Sequence, residues 1–124
     1  MATVFTGLII ILGVLHLVIM GLEMFANANM QARAFKMAKS FVVQPEAQVA
    51  LKNMGIYNGM LGVALLASLA LSDATTALPA QMGLAVFVLV VGVYGGVTVT
   101  KKIYLIQALP AAVTLMIGWL AMRG

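Results

Sequence analysis

Few side chains in this sequence can do chemistry, and most of them gather in two stretches. His16 and Glu23 are seven residues apart in one apolar run. On a helix that is two turns, so both lie on one face, roughly 10 Å apart along the axis. An imidazole titrates near neutrality at about pH 6.5 and can give or take a proton there. Glu23 would be its charge partner, and Asn27, four residues further on, could touch Glu23 directly. A second apolar run opens with Asn53, Tyr57 and Asn58, a third closes with Tyr94, Thr98 and Thr100, and a fourth opens with Tyr104 and Gln107. The chemistry these groups could support is proton transfer on a small lipophilic molecule, or its binding alone. In that reading His16 and Glu23 are the catalytic pair, and Asn27, Asn53, Tyr57, Asn58, Tyr94 and Gln107 are ligand contacts.

Blander readings stand beside each assignment. Glu23 could snorkel to the membrane interface, and His16 could be a neutral hydrogen-bonding partner between helices. The tyrosines could form an interfacial aromatic belt. Asn58 and Gln107 could be packing glue. His16, Met20 and Met24 recur at four-residue spacing, and soft thioethers suit Cu(I), but there is no second histidine and no cysteine. No metal set is therefore expected, and the sequence leaves any cofactor open.

The elements that must position these groups follow from composition. Of the 124 residues, 64% are hydrophobic and 8% charged, against about a quarter charged in an average soluble domain. A chain this short could not hide so much apolar surface in a water-soluble core. Soluble enzymes, nucleic-acid modules and disordered tails are excluded. The expected fold is an all-α integral membrane protein: one four-transmembrane-helix bundle in lipid, without a nucleic-acid partner.

A bilayer core takes roughly 20 apolar residues per helix, and four stretches qualify: about 3–25, 54–71, 82–100 and 103–122. The first lacks a basic flank ahead of it and is too long for a signal peptide core, so it reads as a retained span. Residues 26–53 form a polar connection, residues 72–81 a short turn with Asp73 and Pro79, and Lys101-Lys102 a hairpin tip. Pro45 suits the first turn of a helix, so the second helix should start near Gln44 as a surface segment. Arg33, Lys36, Lys39, Lys52, Lys101 and Lys102 fall in the first and third connections, with Arg123 alone opposite. That bias places loop 26–53 and the third loop in the cytoplasm and both termini outside. The net charge of +4 needs no acidic partner to explain it. The polar side chains named above then converge near the inner leaflet, which suggests a polar pocket facing the cytoplasm.

Gly55 and Gly59, and again Gly92 and Gly96, are small-residue pairs that let backbones approach, within a chain or between copies. A homo-oligomer through these glycine-lined faces is expected. Pro110 should kink the fourth span and free a carbonyl near residue 106.

Three blocks carry a resemblance to a known family: HLVIMGLEMF (16–25), LKNMGIYNGMLG (51–62) and GVYGGVTVTKK (92–102), followed by Gln107 and Pro110. In these the chain resembles the bacterial small four-span membrane proteins grouped as domain of unknown function 1304. Met54 departs from that pattern, since relatives usually carry Gln there. The resemblance implies four spans, the bacterial inner membrane, and His16, Glu23, Asn53, Tyr57, Asn58, Tyr94 and Gln107 as motif positions. It implies no reaction. The functional readings are a pocket for a small amphipathic or lipophilic molecule, isomerase-like if catalytic; a structural or accessory oligomer; and a transporter or channel subunit.

Overall fold

A computed structural model describes residues 1–123, which are helical with short connections and contain no strand. The elements are α1 (Ala2–Phe25), α2 (Ala28–Phe35), α3 (Lys39–Val42), α4 (Pro45–Ala67), α5 (Ala74–Thr98) and α6 (Leu109–Arg123). A 3₁₀ turn, Ser68–Ala70, prolongs α4, and a π-helical turn, Tyr104–Ala108, leads into α6. Four runs are long and apolar enough to cross a membrane: Ala2–Phe25, Pro45–Ala70, Ala74–Thr98 and Tyr104–Arg123. The chain is a four-span, all-α bundle.

Local chemistry explains where the helices depart from the expected spans. The second starts at Pro45 behind Gln44, because a proline at the first helical position forfeits an N–H that has no partner there anyway. The connection 26–53 is consequently not an open loop: it holds α2, α3 and the opening turns of α4. The turn expected over 72–81 ends at Asp73. Its carboxylate accepts the N–H groups of Thr75 and Thr76 and both their hydroxyls, so α5 begins there and Pro79 lies inside it. The kink expected at Pro110 takes the form of the π turn. Pro110 cannot donate to Ile106, and the N–H of Leu109 reaches back to Tyr104 O in a widened turn.

Away from the lysine-bearing connections, which define the basic end, the core is aliphatic. Phe5, Ile9 and Leu12 of α1 meet Leu65 of α4, Ala85 and Val88 of α5, and Ala111 of α6. α1 is the central helix and packs along α4 and α6, whereas α4 and α5 barely touch. Large apolar side chains such as Ile11, Val14, Val90, Val97 and Leu105 point outward, as expected of a helix face in lipid.

Two glycine seams fix the helix pairs. A Cβ on Gly62 would stand 2.7 Å from Gly13 O of α1, while Gly59 receives Met20 and Gly55 receives Met24. Methionines four residues apart on α1 thus fill glycine holes four residues apart on α4. On the other side Gly92 faces Ala108, Gly95 faces Ile103 and Gly96 faces Tyr104. The glycine pairs expected to join copies of the chain are therefore occupied within it. With little hydrophobic drive between helices in lipid, close packing of this kind is what holds a pair together.

Candidate functional site

The polar residues singled out from the sequence fall into two linked pairs and several outliers. His16 is 0% exposed, and its Nδ1 lies 2.8 Å from Leu12 O one turn earlier. A carbonyl can only accept, so Nδ1 carries hydrogen, and in the neutral ring Nε2 is left as an acceptor. Gln107 Nε2 donates to it at 3.3 Å. The π turn carries Gln107, so the widening forced by Pro110 lies at this contact. Glu23 is 2% exposed, and its Oε2 accepts from Asn58 Nδ2 at 2.8 Å, a bond between α1 and α4. The second donor direction of Asn58 goes to Met54 O, 3.2 Å away in its own helix.

α4 and α5 make little contact with each other, and a groove of about 810 Å³ opens between them. Leu15, Val18, Ile19, Leu22 and Glu23 of α1 form its floor. Met54, Tyr57, Asn58 and Leu61 of α4 make one wall, and Phe87, Val91, Tyr94 and Thr98 of α5 the other. Ile103, Ile106 and Gln107 close it from the π turn, and Ala34, Phe35 and Met37 cover its basic end. The volume falls in the range of about 300–1,000 Å³ usual for small-molecule sites.

Five of the eight residues selected from the sequence line this groove: Glu23, Tyr57, Asn58, Tyr94 and Gln107. Three do not. His16 sits behind Gln107 with both ring nitrogens engaged. Asn27 is exposed and caps α2, accepting the N–H of Met30 at 2.9 Å. Asn53 is exposed and donates to Val49 O at 3.0 Å within its own helix. An asparagine side chain readily bonds nearby backbone, Asn27 as the cap of α2 and Asn53 to the carbonyl one turn back in α4.

Sequence reasoning missed Gln31, Gln48 and Gln81. Gln31 of α2 is fully buried; its amide donates to Leu22 O and Glu23 O, and its carbonyl accepts from Gln48 of α4 at 2.8 Å. Gln48 also donates to Val42 O at 2.9 Å. This clasp pairs two of the carbonyls left open at the end of α1 and fixes the backbone of Glu23 itself. At the opposite end Gln81 donates to Ser68 O, joining α5 to the turn after α4. The available signal was an uncharged amide, Gln31, standing near Arg33, Lys36 and Lys39.

Fold and groove together define a multi-pass membrane protein of four spans with polar side chains gathered at one end of the bundle. More particularly, the chain belongs to the family described as Protein of unknown function (DUF1304), whose model matches residues 10–119. It is similar to the uncharacterized protein YpaA of Lactococcus lactis subsp. lactis (strain IL1403), with 37% identity over 90 residues, 72% of this chain and 74% of that one. No solved structure matches.

Proposed function

We propose that this is an inner-membrane protein whose groove binds a small amphipathic or lipophilic molecule taken from the bilayer. The observation that carries the reading is the groove itself: mostly apolar walls, with Glu23, Asn58 and Gln107 as polar points in its lining. Such a surface suits a ligand with a greasy body and one hydrogen-bonding head. The six cations at the basic end support placing that end in the cytoplasm, with the groove in the inner half of the membrane. The glycine seams, already filled within the chain, give no support to an accessory protein that assembles through them.

The roles differ in one respect from those suggested by spacing alone. Glu23 is the acid that faces the ligand, and any proton transfer runs through it. His16 is a positioning residue that holds Gln107 toward the groove. Val91 and Val90 provide the test, since Val91 lines the groove and Val90 points into lipid at 61% exposure. Val91→Trp should expel a bound molecule that native mass spectrometry detects on the wild-type chain, and Val90→Trp should retain it. Equal retention by both variants would overturn the proposal.

A further inference from the structure

We infer that the groove selects a lipophilic monocation, such as a hydrophobic amine or quaternary ammonium, with its charged head at Glu23. The inference rests on the groove-binding reading above and names its substrate class.

Charge is the first argument. The chain carries a net +4, yet no lysine or arginine reaches the groove. Among the described residues lining it, Glu23 is the one acidic or basic side chain. A chain whose Lys and Arg outnumber its Asp and Glu by seven to three has thus kept every cation out of this cavity and put a carboxyl group there. A carboxylate inside a membrane is costly and ordinarily has a cation beside it. Here Asn58, a neutral donor, is the partner, and no salt bridge reaches Glu23 among the described residues.

The second argument is the free oxygen. Asn58 engages Oε2, and no hydrogen bond reaches Oε1 among the described residues. No buried side-chain oxygen or nitrogen among those residues lacks a partner, so Oε1 must keep some accessible surface. The groove is where that surface lies, because Glu23 lines it and is otherwise enclosed. One acceptor oxygen therefore faces the cavity with no cation of this chain beside it.

Aromatic placement is the third. Tyr57 and Tyr94 stand on the two opposing walls and are 79% and 69% exposed, so their ring faces are available. Rings of this kind attract ammonium groups through the negative face of their quadrupole, more strongly as the cation is desolvated. Leu15, Val18 and Ile19 on the floor receive the apolar remainder. An anionic amphiphile would meet the ionised Glu23 with repulsion, whereas a cationic head would supply the counter-ion that the lining lacks.

The experiment uses the full chain in nanodiscs and equilibrium dialysis against empty discs. The probes are tetraphenylphosphonium, its shape-matched anion tetraphenylborate, and neutral triphenylmethanol. The phosphonium should bind saturably and the borate should not. Glu23→Gln, which can still accept from Asn58, should weaken phosphonium binding about tenfold or more, equivalent to about 1.4 kcal/mol. A Tyr57→Leu/Tyr94→Leu double variant, altering exposed positions that leave the core untouched, should weaken it several-fold. If triphenylmethanol binds, Val91→Trp displaces it, and the phosphonium is no tighter or ignores Glu23→Gln, the cation inference fails while the groove reading survives. Should no probe bind above empty discs, both fail. If Glu23→Gln does not fold, an unchanged phosphonium affinity in the double tyrosine variant overturns the inference.

Discussion

Replacing Gly62 by alanine tests the packing that shapes the groove. An added Cβ at this position would lie 2.7 Å from Gly13 O, whereas ordinary contact begins at 3.4 Å. The difference, about 0.7 Å, must come from moving α1 and α4 apart, since the obstacle is backbone and cannot rotate away. Overpacking of this kind costs about 1–3 kcal/mol. Gly83 provides the reference, because its Cβ would meet nothing within 4 Å. Both substitutions share the gain of about 0.5–1 kcal/mol that alanine has over glycine in a helix, so their difference isolates the clash. Gly62→Ala should therefore fall about 1–3 kcal/mol below Gly83→Ala. Gly59→Ala should lie between them, because its obstacle is the flexible thioether of Met20. Unfolding in mixed dodecylmaltoside–SDS micelles, followed by circular dichroism, gives the ordering. Gly62→Ala and Gly83→Ala of equal stability would refute the idea that the glycine seam is a close backbone contact.

Other expectations concern the ends of the helices. Gln31→Leu removes both arms of the glutamine clasp and strands buried carbonyls, so it should cost about 1–3 kcal/mol, read in the same unfolding assay. Lys36 ends α2 with a φ of 55°, in the left-handed region that penalises a side chain, so Lys36→Gly should stabilise the chain by about 1 kcal/mol. Hydrogen bonds from Thr76 and then Thr75 hold the exposed Asp73 carboxyl below its ordinary pKa of 3.8. Its contribution to stability is therefore complete above that ordinary value and disappears as acid protonates the folded-state carboxyl at lower pH. Melting temperatures of wild type and Asp73→Asn should run parallel above about pH 5 and converge or cross below pH 4. A constant offset across that range would show that the carboxylate charge does not act at the cap.

The amino-acid sequence alone determined that four helices cross a membrane, because apolar length against bilayer thickness is a one-dimensional property. It also determined that the basic connections share an end, since residues 26–53 and the Lys101-Lys102 tip flank alternate spans. Helix starts were legible where a local group acts on local backbone, as at Pro45; at Asp73 the same logic holds, but the proline six residues on concealed it. Contacts across the bundle were a different matter. His16 and Glu23 do share a helix, yet spacing could not say that one would face Gln107 and the other Asn58. Whether Gly55 and Gly59 would meet a second copy or α1 of the same chain depended on where Met20 and Met24 pointed. Only the tertiary structure decided these, because helix rotation and crossing distance set which side chains meet, and the groove lies where α4 and α5 fail to pack on each other.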